Sequence, residues 1–137
     1  MDTHDRLVQL RKRGKRVLII LKDDLDRAIL SGTLQVDGYR QIVEAGSVVE
    51  TLRAVRASKP DLIVMEPRLG EVNAQQLVER LRLKGGCEEV PVVVIADDLD
   101  VRTKLMAKAA RIDHVQIWPT DYDETMKGVL AKLLAIE

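Results

Sequence analysis

Five short apolar runs alternate along the chain with segments of helical periodicity, and this alternation constrains the fold more than any other feature. The runs occupy residues 17–21, 39–45, 61–66, 90–96 and 113–118. The first, third and fourth are nearly unbroken by polar residues, which is typical of parallel strands buried on both faces. The second run is more polar, which predicts a strand at an edge of the sheet.

The segments between the runs are predicted to be helices, joined to the strands by short loops. They cover residues 2–16, 25–34, 48–57, 74–84, 99–110 and 121–135. Ser47 and Asn73 have side chains that suit helix N-caps, and Leu25, Ala28 and Ile29 are predicted to face the sheet from the second helix. Strands and helices in this order form a parallel sheet with helices on both faces.

Length and composition indicate one domain without a membrane span. A chain of 137 residues suits a single core, and we expect residues 1–15 to form a helical extension of a domain over residues 16–137. No apolar run approaches the roughly 20 residues of a membrane span, and the N-terminus lacks a signal-peptide core, so we expect a cytoplasmic protein. Cys87 is the single cysteine and has no partner for an internal disulfide.

Charge argues against nucleic acid as a partner. Acidic and basic residues number 22 each, and aromatic residues make up 2% of the chain, which leaves little material for base stacking. The basic run from Arg11 to Arg16 suits the C-terminal end of the first helix and is interpreted as a solvated surface. An anionic partner such as duplex nucleic acid is the alternative for this run, but we expect no nucleic-acid binding.

The third run ends in Glu66, which places a carboxylate where ligands bind in open parallel sheets. Such ligands lie outside the carboxyl ends of the strands, near the point where the strand order reverses. Any site is therefore expected among residues 21–24, 66–73, 96–100 and 118–121. The chain has no nucleophile elbow, phosphate-binding loop, zinc-ligand spacing or HExxH motif, so we expect neither an enzyme nor a bound cofactor.

About residues 16–136 resemble the receiver domain of bacterial response regulators, the CheY-like superfamily. The segments that carry the resemblance are VLIIL followed by Arg27, GYRQIVEA, PDLIVME, VPVVVIA and Trp118-Pro119. The resemblance implies a flavodoxin-like, doubly wound α/β fold with sheet order 2-1-3-4-5 and a role in two-component signal transduction. In that family, acids after the first strand hold Mg²⁺, an Asp after the third accepts phosphate, and Thr or Ser and then Lys follow the fourth and fifth.

The resemblance also indicates that the phosphorylation chemistry is lost. The five positions that carry it in the family correspond to Leu21, Lys22, Glu66, Ala96 and Trp118. Phosphoryl transfer depends on metal and Lys cations that neutralise developing charge, and this set lacks both the metal ligands and that lysine. We therefore interpret the chain as a degenerate pseudo-receiver, a phosphorylation-independent interaction module in which the Lys22 ammonium is predicted to pair with Glu66.

A shifted set of acids is the alternative to a lost site. Asp23, Asp24, Glu66 and Asp97 carry oxygen ligands that would suit Mg²⁺, and Glu66 would then be the phosphoacceptor. An Asp directly after a strand also serves as the N-cap of the next helix, and that interpretation predicts no metal site.

The resemblance implies a protein partner, which would be a kinase, an output domain or a second copy of the chain. Many receivers dimerise or dock through the last two helices and the fifth strand, where the candidate interface residues are Leu105, Ile112, Met126 and Trp118. Trp118 either anchors a partner or fills the volume of the vacated site against Pro119. The peptide bond before Pro119 is expected to be cis by the same resemblance.

Overall fold

Strands and helices alternate along the chain, as the spacing of the apolar runs predicts. The structure is a computed structural model that describes residues 2–117 and 124–137. Its strands are β1 (Arg16–Ile20), β2 (Gln41–Ala45), β3 (Leu62–Met65), β4 (Arg68–Leu69), β5 (Val72–Asn73), β6 (Val92–Ala96) and β7 (His114–Ile117). Its helices are α1 (Thr3–Gly14), α2 (Asp24–Asp37), α3 (Val48–Ala57), α4 (Ala74–Lys84), α5 (Val101–Ala109) and α6 (Glu124–Leu133).

Five of the strands form one parallel sheet in the order β2-β1-β3-β6-β7. Counted along the chain, these five strands have the order 2-1-3-4-5, so the predicted flavodoxin-like, doubly wound α/β fold is confirmed. The remaining strands, β4 and β5, form a small antiparallel hairpin between β3 and α4. The sequence does not predict this hairpin, because strands of two residues have no periodic pattern.

Alternate side chains of the central strands enter two aliphatic cores, one on each face of the sheet. In β1, Leu18 and Ile20 belong to the core beneath α3, α4 and α5, whereas Val17 and Ile19 belong to the core beneath α2 and α6. Burial of apolar surface contributes about 25 cal/mol per Å², so strands buried on both faces are firmly held. Their carboxyl ends consequently form a rigid edge on which a site can be built.

The face of α2 that contacts the sheet differs from the prediction. The predicted inward positions are all exposed: Leu25, Ala28 and Ile29. The buried positions are Leu30, Ser31 and Leu34. Both sets recur at helical spacing, so periodicity alone does not choose between them. The Arg27 guanidinium donates to the carbonyls of Leu21 and Lys22, and this contact turns the positions three, four and seven residues further along α2 toward the sheet.

α1 packs against the end of α2 through a buried ion pair. Lys12 Nζ lies 3.0 Å from Asp37 Oδ1 and donates to the Asp37 carbonyl at 3.0 Å. The same ammonium lies 5.6 Å from the centroid of the Tyr39 ring, and Gln41 donates to the carbonyl of Arg13. Lys12 is 8% exposed, so the interpretation of the basic run as solvated is wrong for this residue.

Candidate functional site

The carboxyl ends of β1, β3 and β6 meet at one edge of the sheet and line a crevice. Ile20 is in register with Met65, and Met65 with Val94, so the residues that follow these strands lie side by side. The crevice has a volume of about 270 Å³. Four of the predicted site residues line it: Leu21, Glu66, Ala96 and Asp97.

The carboxylate of Glu66 is held by the backbone of the neighbouring strand end. Its Oε2 accepts a hydrogen bond from the Lys22 peptide N–H at 2.5 Å, and the Glu66 N–H donates to the Ile20 carbonyl at 3.3 Å. The Lys22 side chain is exposed, and within the described part of the chain no salt bridge joins its ammonium to Glu66. The predicted ammonium–carboxylate pair is therefore wrong, since the contact runs through the peptide group.

Two hydrocarbon side chains stand where the resemblance implies a metal ligand and a hydroxyl. Leu21 and Ala96 are 4% and 6% exposed, and the Leu21 N–H donates to the Ala45 carbonyl at 3.1 Å. Neither side chain can coordinate a cation or donate a hydrogen bond. The half-buried carboxylate of Glu66 therefore shares its crevice with apolar walls.

Arg27 organises the loop after β1, a role that sequence reasoning missed. Its guanidinium donates to the carbonyls of Leu21 at 2.5 Å and Lys22 at 3.0 Å, forms an ion pair with Asp24, and lies 3.7 Å from Glu44 Oε1. The side chain is 14% exposed. Its spacing of six residues from Leu21 and three from Asp24 was the available signal, because it places Arg27 at the first turn of α2, close to the end of β1.

Asp23 and Asp24 of the shifted set have structural partners of their own. Asp23 is the N-cap of α2 and accepts from the Asp26 N–H at 2.9 Å, and Asp24 pairs with Arg27. Asp97 lines the crevice and is exposed. Across residues 2–117 and 124–137, no group of three or more His, Cys, Asp or Glu side chains could hold a metal ion. The described donor set therefore does not fit the Mg²⁺ that the resemblance implies.

Acidic caps make the mouth of the crevice electronegative. Asp100 is the N-cap of α5 and accepts from the Thr103 N–H at 2.7 Å, and Asp98 accepts from the Asp100 N–H at 3.0 Å. The hydrogen bond from the Thr103 backbone holds the pKa of Asp100 below its ordinary value. Asp100 is therefore anionic at neutral pH and would repel a phosphate group at the mouth.

The three candidate interface residues that the structure describes do not form one surface. Leu105 is 63% exposed, Ile112 packs against the core beneath α3, α4 and α5, and Met126 is 4% exposed in the core on the other face. Only Leu105 of these three offers substantial apolar surface to a partner. Trp118 and Pro119, with the expected cis peptide bond, lie outside the described residues.

Comparisons with known proteins agree with this architecture. The family model for the response regulator receiver domain matches residues 17–127. The transcriptional regulatory protein AfsQ1 of Streptomyces coelicolor is 30% identical over 88 residues, which are 62% of this chain and 37% of that protein. The chain thus spans little more than a third of that relative's length.

Solved structures with the same fold are more distant in sequence. Chemotaxis protein CheY4 of Vibrio cholerae has a TM-score of 0.78 at 20% identity, with 87% of this chain and 98% of that chain covered. The receiver domain of a sensor histidine kinase from Pseudomonas aeruginosa, with magnesium in its active site cleft, has a TM-score of 0.77 at 14% identity over 88% and 98% of the two chains. In the described part of the chain, no helix is long and apolar enough to cross a membrane.

Proposed function

Because the chain belongs to the response regulator receiver domain family, we propose that it is a pseudo-receiver, which binds a protein partner in a two-component pathway without being phosphorylated. Receiver domains are in general signalling modules rather than enzymes. The proposal rests on the surroundings of Glu66. Its carboxylate accepts a hydrogen bond from the Lys22 peptide N–H, in a crevice whose lining includes Leu21 and Ala96.

Electrostatics supports this proposal. Phosphoryl transfer requires cations placed at the phosphoryl oxygens. The loop after β1 has the exposed side chain of Lys22 and, bonded to it, the guanidinium of Arg27. That guanidinium is turned toward the carbonyls of Leu21 and Lys22, while the crevice lining adds the carboxylates of Asp97 and Asp100. An incoming phosphate dianion would therefore meet mainly negative charge.

In this proposal Glu66 keeps a permanent carboxylate where the resemblance implies a phosphorylated Asp, and the module stays in one state. Its partner is a protein, namely a kinase, an output domain or a second copy of the chain. Sedimentation velocity of the purified chain shows whether it self-associates, and this distinguishes a second copy from a kinase or an output domain. The proposal also places the chain in the cytoplasm, in keeping with its family.

A phosphoryl mimic tests whether the site can be activated. A ligand that binds only the folded state raises its stability by RT ln(1 + [L]/Kd), so Mg²⁺ with beryllofluoride should raise the Tm of a working receiver. We expect no rise for this chain. A rise that disappears in Glu66→Gln would contradict the proposal and support the shifted set of Asp23, Asp24, Glu66 and Asp97.

A further inference from the structure

A second and larger cavity adjoins the crevice, with which it shares Pro67 and Thr103, and lies between the β4–β5 hairpin, the first turn of α4 and one face of α5. Its volume is about 540 Å³, compared with about 270 Å³ for the crevice. Cavities of about 300–1,000 Å³ are the usual size for small-molecule sites in proteins. We call this cavity the α5 cleft.

One wall of the α5 cleft is apolar. It is formed by Leu105, Met106 and Ala109, which recur on α5 at the three- and four-residue spacing of a single helix face. Leu105 is 63% exposed, whereas Met106 is half-buried and packs against the core beneath α3, α4 and α5. The exposed part of this wall is therefore Leu105 with Ala109. A hydrocarbon or aromatic body placed against it would remove apolar surface from water and gain binding free energy.

The cleft is also cationic. Arg68 on β4 and Arg102 on α5 both line it, and its lining contains no acidic side chain. Neither guanidinium takes part in a salt bridge or hydrogen bond with another described residue, and Arg102 also attracts the exposed carboxylate of Asp100 at longer range. The lining amides are already engaged, since Asn73 caps α4 and Gln75 donates to Glu79. Guanidinium groups bind carboxylate and phosphate with two parallel hydrogen bonds.

We propose that the α5 cleft binds a small amphiphilic anion, which is a carboxylate or phosphate attached to an apolar body. The anion would lie at Arg68 and Arg102, and the body against Leu105 and Met106. A more strongly basic groove between α3 and α4 contains Arg56, Arg80 and Lys84 but measures only about 180 Å³. Volume, an apolar wall and two guanidinium groups thus occur together at the α5 cleft, and the proposed ligand does not depend on whether Glu66 accepts phosphate.

Anilinonaphthalene sulfonate is a suitable probe, because it joins an anion to an apolar aromatic body and becomes fluorescent when bound. We expect saturable binding of this probe to the full chain. Hexyl phosphate should displace it, whereas inorganic phosphate at the same concentration should not, because it lacks the apolar body. Absence of saturable binding, or equal displacement by the two phosphates, would overturn the proposal.

Substitutions in and outside the cleft test where the probe binds. The double variant Arg68→Gln with Arg102→Gln should raise the probe's Kd at least about tenfold, since hydrogen bonds to charged groups are the stronger ones. Lys104→Gln on the same helix is the matched control, because Lys104 is exposed and lies outside the cleft lining. It should leave the Kd within about twofold, as should Arg80→Gln in the α3–α4 groove.

A second pair of variants, one in the cleft and one outside it, tests the apolar wall. Leu105→Gln should weaken probe binding, whereas Val101→Gln, which alters an exposed residue of α5 outside the cleft, should not. All these sites are exposed, so the variants are expected to fold. An unchanged Kd in the Arg68 and Arg102 variant, or loss of binding in Arg80→Gln instead, would contradict the assignment. Stronger displacement by a glutamate-rich peptide than by hexyl phosphate would mean that the cleft takes a protein segment, and the proposal would be wrong.

Discussion

At the scale of single residues, the hydrogen bond to Glu66 comes from a peptide group, and this decides which substitutions matter. The Lys22 N–H is present whatever side chain occupies the position. Register explains the contact, because Ile20 pairs with Met65, so the residues after β1 and β3 are neighbours. Sequence reasoning could place Leu21, Lys22 and Glu66 together, but not say whether the side chain or the N–H of Lys22 reaches the carboxylate.

Lys22→Met tests this contact. Because the Lys22 ammonium is exposed and has no salt bridge to Glu66 among the described residues, its removal should change the free energy of unfolding by no more than about 0.5 kcal/mol. Glu66→Leu removes the acceptor and should cost more, about 1 kcal/mol. Urea unfolding measures both, and a loss above about 1 kcal/mol in Lys22→Met would show that the ammonium and the carboxylate interact after all.

Tyr39 carries a buried hydroxyl with no hydrogen-bond partner among residues 2–117 and 124–137. An unpaired buried polar group costs about 1–3 kcal/mol, whereas the ring itself packs in the core and faces the Lys12 ammonium. Tyr39→Phe should therefore leave the free energy of unfolding unchanged or raise it by up to about 1 kcal/mol at neutral pH. A clear loss of stability would mean that the hydroxyl is bonded.

The same residue should make stability depend on alkaline pH. Burial, and then the negative charge of Asp37, raises the pKa of Tyr39. In the unfolded chain the Tyr39 phenol has its ordinary pKa of about 10, so it ionises there at a lower pH than in the folded chain. The stability that the neutral phenol contributes is therefore complete below about pH 10 and is lost as the pH rises toward the pKa of the folded chain. Urea unfolding at about pH 8 and about pH 11 should show a larger decrease for the natural chain than for Tyr39→Phe. Equal decreases would contradict a buried phenol.

At the scale of elements, strands are easier to predict from this sequence than helix orientation is. The aliphatic runs specify β1, β3 and β6 because almost every residue in them is buried. For α2, two stripes at helical spacing compete, and the buried one is fixed by a polar residue, Arg27, that binds the preceding loop. Such a contact depends on three-dimensional geometry and has no periodic signal in the sequence.

The position of α1 depends on one buried charge, and Lys12→Met tests it. Lys12 and Asp37 have side chains that are each 10% exposed and lie 3.0 Å apart, so the substitution removes a cation from a largely dehydrated carboxylate. We expect a loss of about 1–3 kcal/mol in the free energy of unfolding. Arg11→Met is the matched control, since Arg11 is exposed on the same helix, and should cost less than about 0.5 kcal/mol. Equal effects of the two variants would show that the pair does not anchor α1.

At the scale of the whole molecule, the receiver fold forms a crevice whose lining combines Leu21 and Ala96 with several carboxylates. The sequence predicted this edge of the sheet well, since Leu21, Glu66, Ala96 and Asp97 all line the crevice. It did not predict that Asp26 and Thr103 also line the crevice. Both lie on helices, and hydrophobic periodicity alone does not decide how each helix is rotated about its axis. The fold is therefore that of the receiver family, and the loss of phosphorylation that we propose rests on a few side chains of the crevice.

A restored site provides the positive control for the central claim. A variant with Leu21→Asp, Lys22→Asp, Glu66→Asp, Ala96→Thr and Trp118→Lys carries the residues that the family uses at these positions. We expect this variant to gain a phosphoryl group from acetyl phosphate in the presence of Mg²⁺, because it regains metal ligands and the lysine cation.

The most direct test is the intact mass of the natural chain after incubation with acetyl phosphate and Mg²⁺, measured together with the rate of acetyl phosphate loss so that a short-lived adduct is also detected. The pseudo-receiver account predicts no added phosphate and no faster loss than in buffer alone. A stoichiometric adduct on Glu66, or an accelerated loss that Glu66→Gln abolishes, would contradict it.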